Sequence, residues 1–181
     1  NNSVRLSSIV ADLLVLTELE SGADPQEPEV IPLRGVVESV LVTVEAEARE
    51  RNVTLVLDEL QEFHIAGRRL RLEQALLNLV ANAIKFNRPG GEVRVRVAAV
   101  EDGRIAIVIA DTGVGIPSED LPRIFERFYR VDKARSRQVG GTGLGLSIVK
   151  HVIEGMGGRV SVESQLGNGS VFTILLPAAP E

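Results

Sequence analysis

Five short motifs rich in glycine, amide and basic residues follow one another between Asn78 and Phe172. They read NLVANAIKF at 78–86, DTGVGI at 111–116, FERFYR at 125–130, GGTGLGL at 140–146 and GNGSVF at 167–172. Backbone N–H groups, amide side chains and cations all bind phosphate oxygens, and four of the five motifs supply such groups. One motif alone is a weak signal, but the set in this order predicts a nucleotide-binding site.

The first motif lies on a helix predicted over 68–86. Asn82 and Lys85 follow Asn78 at intervals of four and seven residues, so the three side chains form one row along the helix. An asparagine carbonyl is a hard oxygen ligand that suits Mg²⁺, and Mg²⁺ shares the oxygens of substrate phosphates. Because asparagine weakens a helix interior, the row favours a site for a metal-bound polyphosphate over a solvated helix face.

The second motif places Asp111 at the end of a strongly apolar predicted strand, with Gly113 and Gly115 after it. A carboxylate there can accept a hydrogen bond from the exocyclic amine of adenine, whereas guanine presents a carbonyl. The glycines allow the backbone to approach a flat ring closely. The alternative is an ordinary turn in which the aspartate is a cap.

The third motif concentrates aromatic and basic side chains. Phe125, Phe128 and Tyr129 are three of only six aromatic residues in the chain, with Arg127 and Arg130 beside them. The motif predicts an aromatic anchor for a loop, together with an arginine that reaches a terminal phosphate.

The fourth motif brings glycines to the start of a helix predicted over 142–157. Free N–H groups at a helix N-terminus bind phosphate. Leu146 stands where the last glycine of a Rossmann GxGxxG would fall, and no GxxxxGK[ST] occurs, so neither standard phosphate-binding motif is present. The alternative is a helix cap with flexible glycines. The fifth motif predicts a hairpin turn followed by the Ser170 hydroxyl.

Composition restricts the function classes. The 181 residues suit one domain with a short extension, and 44% hydrophobic residues suffice for a core. Cysteine is absent, which excludes disulfides and thiolate metal sites. The net charge of −5 argues against a nucleic-acid surface. A basic cluster over 123–137 predicts a specific anionic partner, with a solvated loop as the alternative. His64 and His151 are expected to be structural, since neither has a clear carboxylate neighbour at useful spacing in the sequence.

The periodicity predicts an α/β fold, a two-layer sandwich of a mixed, largely antiparallel sheet against helices, plus an N-terminal helix. Predicted helices cover 3–20, 33–51, 68–86, a short stretch from Ser118, and 142–157; predicted strands cover 53–57, 63–66, 92–100, 104–110, 159–164 and 170–176. The N-terminal helix carries an apolar stripe, expected to pack against a partner helix: Leu6, Ile9, Val10, Leu13 and Leu14.

Together the motifs resemble the N, G1, F, G2 and G3 boxes of the catalytic and ATP-binding domain of bacterial sensor histidine kinases. The resemblance covers about 33–177, and FERFYRVDKARS followed by GGTGLGLSIVKH is especially similar to phosphate-sensing kinases. It implies the Bergerat or GHKL fold, which type II topoisomerases, mismatch-repair ATPases and 90-kilodalton heat-shock chaperones share. It also implies that the domain binds Mg²⁺ and ATP, donates the γ-phosphoryl group to a histidine and leaves ADP.

The resemblance implies a role for each matching residue. Asn82 is implied as the Mg²⁺ ligand with Asn78 in support, Lys85 and Arg130 as phosphate contacts, and Phe86 as a neighbour of adenine. The other residues implied in the pocket are Asp111, for the adenine amine, with Gly113, Gly115, Ile116, Tyr129, Gly141, Thr142, Gly143, Leu144, Gly145, Leu146 and Ser170. A lid is expected over about 131–142. Related ATPases carry a water-activating glutamate where Asn78 stands, so slow hydrolysis is expected here, since asparagine is a poor general base.

The N-terminal part departs from the family pattern. Residues 1–22 resemble only the second helix of a dimerising phosphoacceptor hairpin, and no acceptor-type histidine precedes the linker expected at 23–32. We therefore expect a fragment whose catalytic domain covers 33–181. Its expected partners are the acceptor hairpin of the same kinase, a response regulator and a second copy through the N-terminal helix. Nucleic-acid and membrane contacts are not expected.

The expected location is a cytoplasmic domain of a larger, membrane-attached bacterial sensor. Two alternative functions remain. One is a serine kinase of the same superfamily, against which the N-terminal helix and the linker argue. The other is a nucleotide-binding regulatory module that carries out no transfer.

Overall fold

The computed structural model describes residues 2–22, 27–58, 61–131 and 141–180. Four α-helices and seven strands lie within these ranges: α1 Asn2–Ser21, β1 Glu29–Pro32, α2 Leu33–Glu50, β2 Thr54–Leu57, β3 His64–Gly67, α3 Arg69–Lys85, β4 Glu92–Val100, β5 Arg104–Asp111, α4 Gly145–Gly155, β6 Arg159–Ser164 and β7 Ser170–Pro177. Most of the predicted elements are confirmed to within two or three residues.

The main sheet has the strand order β2-β4-β5-β7-β6. The β2–β4 pair is parallel and the other three pairs are antiparallel, which confirms the mixed, largely antiparallel sheet. In this register Asp111 at the end of β5 lies opposite Val93 and opposite Ser170 at the start of β7. The sheet therefore brings parts of the second and fifth motifs to one edge.

Helices α2, α3 and α4 pack on one face of this sheet. Side chains alternate along each strand, so the apolar ones can all point toward the helices. Val93, Val95 and Val97 of β4 are buried, while Arg94 and Arg96 between them are exposed. The buried side chains of strands and helices form one continuous core. Each fully buried aliphatic side chain contributes about 1.5–3 kcal/mol of burial free energy. The two-layer sandwich is confirmed.

Helix α1 packs against α4, but not through the predicted stripe. Leu16 is buried in the core, and Val15 and Leu19 pack beside it. Leu6 and Leu14 of the stripe are exposed, so no helix in the described part of the chain covers it. Neither α1 nor any other helix in these ranges is long and apolar enough to cross a membrane.

Two other predictions are corrected. The linker expected at 23–32 ends earlier, because Glu29–Pro32 forms β1, which pairs antiparallel with β3 and buries Ile31 completely. The short helix expected from Ser118 is absent. That segment is a series of turns, in which N–H groups donate to carbonyls three residues earlier, as in Arg123 to Asp120.

Candidate functional site

A cavity of about 730 Å³ opens at the sheet edge where β5 and β7 meet, within the size range of small-molecule sites. All but two of the residues predicted for the site line it: Asn78, Asn82, Lys85, Phe86, Asp111, Gly115, Ile116, Tyr129, Arg130, Gly141, Thr142, Gly143, Gly145, Leu146 and Ser170. The fold therefore gathers residues of all five motifs, which are distant in sequence, around one space.

Asp111 presents a partly buried carboxylate at the end of β5. Its Oδ1 accepts a hydrogen bond from the Gly113 N–H at 2.8 Å. Burial raises the pKa of this carboxyl above its usual value, and the backbone N–H groups of Gly113 and Ser170 oppose the shift. A carboxylate has about four acceptor positions, so two backbone donors leave Asp111 able to accept from a ligand in the cavity.

Backbone segments approach one another closely beside Asp111. Gly115 has φ +71°, and a Cβ there would lie 2.0 Å from the Gln165 carbonyl oxygen. A Cβ on Gly169 would lie 1.9 Å from the Asp111 carbonyl oxygen. Only glycine fits at these two positions, so this wall of the cavity is formed by backbone packed on backbone.

Ser164 joins the second and fifth motifs, and sequence reasoning missed it. Its hydroxyl accepts from the Ile116 N–H at 2.8 Å and lies 2.9 Å from the Ser170 hydroxyl. Ser170 is itself buried. Ser164 is the last residue of β6, a half-exposed strand, and no pattern in the sequence marks it. Its contacts depend on how the neighbouring segments fold around it.

The predicted row on α3 faces the cavity. Asn78 donates from Nδ2 to the Gly145 carbonyl at 3.2 Å, which ties α3 to the start of α4. Asn82 lies one turn further along, and within the described ranges its side chain makes no hydrogen bond. An amide in such a position is open to a ligand.

Lys85 is half-buried at the same side of the cavity. Burial lowers the pKa of its ammonium group, and the nearby cations Arg130 and Arg51 lower it further. A Cβ on Gly141 would come within 3.1 Å of Lys85 Nζ and 3.9 Å of Arg130 Nη2. Two cations beside a glycine backbone favour an anionic ligand.

The third motif anchors its loop as predicted. Phe125 packs edge-on against Phe172, with ring centroids 6.4 Å apart and an interplanar angle of 83°. Tyr129 donates its hydroxyl to Asp120, and the Arg123 guanidinium lies 4.3 Å from the centre of the Tyr129 ring.

Phe128 is different from its aromatic neighbours, because its side chain is 56% exposed. Its backbone has φ +62°, which is uncommon for a bulky residue. The Phe128 N–H donates to the Gly143 carbonyl at 2.9 Å, and a Cβ on Gly143 would lie 2.9 Å from the Phe128 Cα. The third and fourth motifs are therefore joined through backbone contact.

Two of the predicted site residues do not line the cavity. The Leu144 side chain is fully buried in the core and does not line the cavity. Its backbone N–H donates to the Thr142 hydroxyl at 3.1 Å. Gly113 also lies outside the lining and acts through its hydrogen bond to Asp111. Residues 132–140, which hold most of the expected lid and part of the basic cluster, lie outside the described residues.

Helix α1 contributes a residue that sequence reasoning missed. Asp12 lines the cavity, and its Oδ2 accepts from the Thr142 hydroxyl at 2.7 Å. The carboxylate neighbour that spacing in the sequence does not supply to His151 comes from α1, because Glu20 Oε1 lies 3.7 Å from His151 Nε2. Both contacts depend on how α1 packs, which no local pattern encodes.

The described residues contain no group of three or more His, Asp or Glu side chains that could hold a metal. The amide of Asn82, without a partner in those residues, nevertheless fits Mg²⁺, which takes few protein ligands and completes its shell with waters and substrate phosphates.

Comparison with known proteins agrees with this geometry. Residues 67–180 match the family model described as histidine kinase-, DNA gyrase B- and HSP90-like ATPase. The chain is 35% identical over 179 residues to the sensor-like histidine kinase SenX3 of Mycolicibacterium smegmatis, covering 99% of this chain and 46% of SenX3. It is 38% identical over 169 residues to the phosphate regulon sensor protein PhoR of Pseudomonas aeruginosa, covering 93% of this chain and 38% of PhoR.

The fold is similar to that of full-length ShkA in complex with AMPPNP, with a TM-score of 0.80 and 33% identity over 97% of this chain and 36% of ShkA. The chain spans less than half the length of SenX3 and of PhoR. The chain therefore belongs to the histidine kinase-, DNA gyrase B- and HSP90-like ATPase family, and within it to the ATPase domains of two-component sensor histidine kinases.

Proposed function

We propose that the chain binds ATP with Mg²⁺ in this cavity and donates the γ-phosphoryl group to a histidine on a separate helical hairpin. The observation that carries the proposal is that the two ends of the cavity carry different chemical groups. A base end, defined as Asp111, Gly115 and Ser170, offers one carboxylate acceptor among close-packed backbone. A phosphate end, defined as Asn82, Lys85, Arg130 and Gly141, offers an open amide and two cations.

At the base end, Asp111 accepts from the exocyclic amine of adenine. Its remaining acceptor positions and its place on the cavity wall support this role. Gly115 supports it as well, because it lines the cavity while its backbone packs directly on the Gln165 backbone, which fixes this wall beside Asp111. Phe86 lines the cavity and is 39% exposed, and its ring centroid lies 5.5 Å from Lys85 Nζ, which supports a place for its ring beside the bound base.

At the phosphate end, Lys85 and Arg130 hold the polyphosphate and stabilise the charge that shifts during transfer. Asn82 is the residue that would hold Mg²⁺. When bound, Mg²⁺ neutralises phosphate charge and helps orient the phosphate oxygens. The Gly141 backbone lies close to both cations.

The transfer itself is an in-line displacement at the γ-phosphorus. A neutral imidazole nitrogen of the acceptor histidine forms the new N–P bond, and the bond to the β–γ bridging oxygen breaks with its electron pair leaving on ADP. The domain contributes positioning and electrostatic stabilisation. Competing hydrolysis of ATP should be slow, because Asn78 is a poor general base for water and its amide already donates to the Gly145 carbonyl.

We further propose that the whole protein is a two-component sensor that passes the phosphoryl group to a response regulator. The curated relatives are named as sensor kinases, which supports this. The exposed apolar stripe of α1 supports pairing with an acceptor hairpin or with a second copy of the chain. We also propose that the parent protein is attached to a membrane.

The test is phosphoryl transfer from γ-labelled ATP and Mg²⁺ to a separately supplied dimerisation hairpin that bears its acceptor histidine. We expect label on the hairpin, and none when its histidine is replaced or when this chain is incubated alone. Nucleotide binding without label on any acceptor hairpin, including those of the most similar kinases, would favour a binding module and contradict transfer.

A further inference from the structure

Helix α1 is fastened to the rest of the chain through its second half. Leu16 is 1% exposed and belongs to the common core. Glu18 Oε2 lies 2.5 Å from Arg71 Nη2 on α3. Glu20 forms an ion pair with Arg127 of the third motif. Contacts with three different parts of the domain hold the preceding turn of α1 in place at the edge of the cavity.

That preceding turn carries Asp12. Its carboxylate accepts from the Thr142 hydroxyl at 2.7 Å, and the same hydroxyl accepts from the Leu144 N–H at 3.1 Å. The only donor of the Thr142 hydroxyl is therefore engaged by an acid from α1. Asp12 is also part of the cavity lining.

The place that Asp12 occupies is the phosphate end. Thr142 directly follows Gly141, whose backbone lies beside Lys85 and Arg130. These cations attract a polyphosphate, and the Asp12 carboxylate, bound to the neighbouring Thr142, repels it. The repulsion increases with the charge of the ligand and decreases when a divalent cation neutralises that charge.

We propose that Asp12 sets the nucleotide affinity of the site and makes it depend on phosphate charge. With α1 docked, the Asp12 carboxylate disfavours free polyphosphates and selects for nucleotides already complexed with a divalent cation. The inference rests on the proposed function, because it assumes that polyphosphates bind at this end. Linkage makes the coupling reciprocal, so bound polyphosphate weakens the docking of α1 by the same factor.

The test compares the 181-residue chain with Asp12→Asn by titration calorimetry, using adenosine, ADP and ATP with and without Mg²⁺. Asparagine retains an oxygen that can accept from Thr142 but removes the charge. We expect Mg²⁺-free ATP to bind about three- to tenfold more tightly to the variant. The gain should be smaller for ADP and for ATP with Mg²⁺, and absent for adenosine.

A matched control is Glu45→Gln on α2, which removes one negative charge from an exposed ion pair with Arg49 and does not line the cavity. We expect its affinities to equal those of the wild type. An equal gain in this control would assign the effect to net charge and overturn the proposal.

Two other results would also overturn the role of Asp12. One is an ATP affinity of Asp12→Asn that is unchanged or weaker. The other is the same gain for adenosine as for ATP, which would indicate a structural change and not a charge effect. If the wild type binds no adenine nucleotide, the proposed function fails too. If it binds them and the variant does not differ, only this inference fails.

Discussion

The base end and the phosphate end of the cavity are constructed in different ways. At the base end, backbone packs on backbone so closely that Gly115 and Gly169 leave no room for a Cβ. At the phosphate end, long polar side chains such as Lys85 and Arg130 surround open space. A rigid wall suits recognition of a flat base of fixed shape. Adjustable side chains suit a polyphosphate whose length and charge change during the reaction.

The largest effect should follow from a change at the phosphate end. Replacing Asn82 by alanine removes the only amide that we assign to Mg²⁺, so we expect phosphoryl transfer to fall by about 100-fold or more. The measurement is the rate of label transfer to the acceptor hairpin. Gln74→Ala on the same helix removes an amide outside the cavity and should retain transfer. Wild-type rates in Asn82→Ala would contradict the assignment.

The rigidity of the base end can be tested by stability. Alanine at Gly115 would adopt φ +71° and press its Cβ against the Gln165 carbonyl, so the free energy of unfolding should fall by about 3 kcal/mol. Gly103→Ala is the control, since Gly103 has φ +67° but nothing within 4 Å, and should cost about 1 kcal/mol. Urea denaturation measures both. Equal losses would show that the base end is not closely packed.

Base recognition gives the next effect. Asp111→Asn removes the charge of the acceptor, and we expect ATP affinity to fall about 10- to 100-fold and the preference for ATP over GTP to shrink. Calorimetry with the two nucleotides measures the change. Asp102→Asn, in the turn at the far end of the same hairpin, should bind as the wild type does. Unchanged selectivity in Asp111→Asn would remove the argument for adenine.

A smaller effect concerns pH at the phosphate end. Burial and neighbouring cations lower the pKa of Lys85. The polyphosphate binds its charged form, so ATP affinity should fall as pH rises through this lowered pKa, before an ordinary lysine would lose its proton. We expect a loss of about three- to tenfold. Lys85→Arg keeps its charge at alkaline pH and should hold its affinity. An identical decline in both proteins would place the titrating group elsewhere.

The same contrast explains what the sequence could predict. Asn82 and Asp111 were predictable, because spacing on one helix and position at one strand end determine where their side chains lie. Their assigned roles stay predictions until they are tested. Asp12 was not predictable, since it reaches the cavity only through tertiary packing of α1.

The fold shows the same limit. Apolar residues surround much of α1, so its pattern did not show that the face with Leu16 would be buried in place of the stripe with Leu6. β1 was missed because four residues that end in Pro32 read as a linker, although pairing with β3 makes them a strand.

The most direct test of this account is an experimental structure of the chain with Mg²⁺ and a non-hydrolysable ATP analogue. We predict the adenine amine within hydrogen-bond distance of the Asp111 carboxylate, the metal beside Asn82, and the phosphates between Lys85 and Arg130. A nucleotide bound in the opposite direction, or outside this cavity, would contradict the division into a base end and a phosphate end.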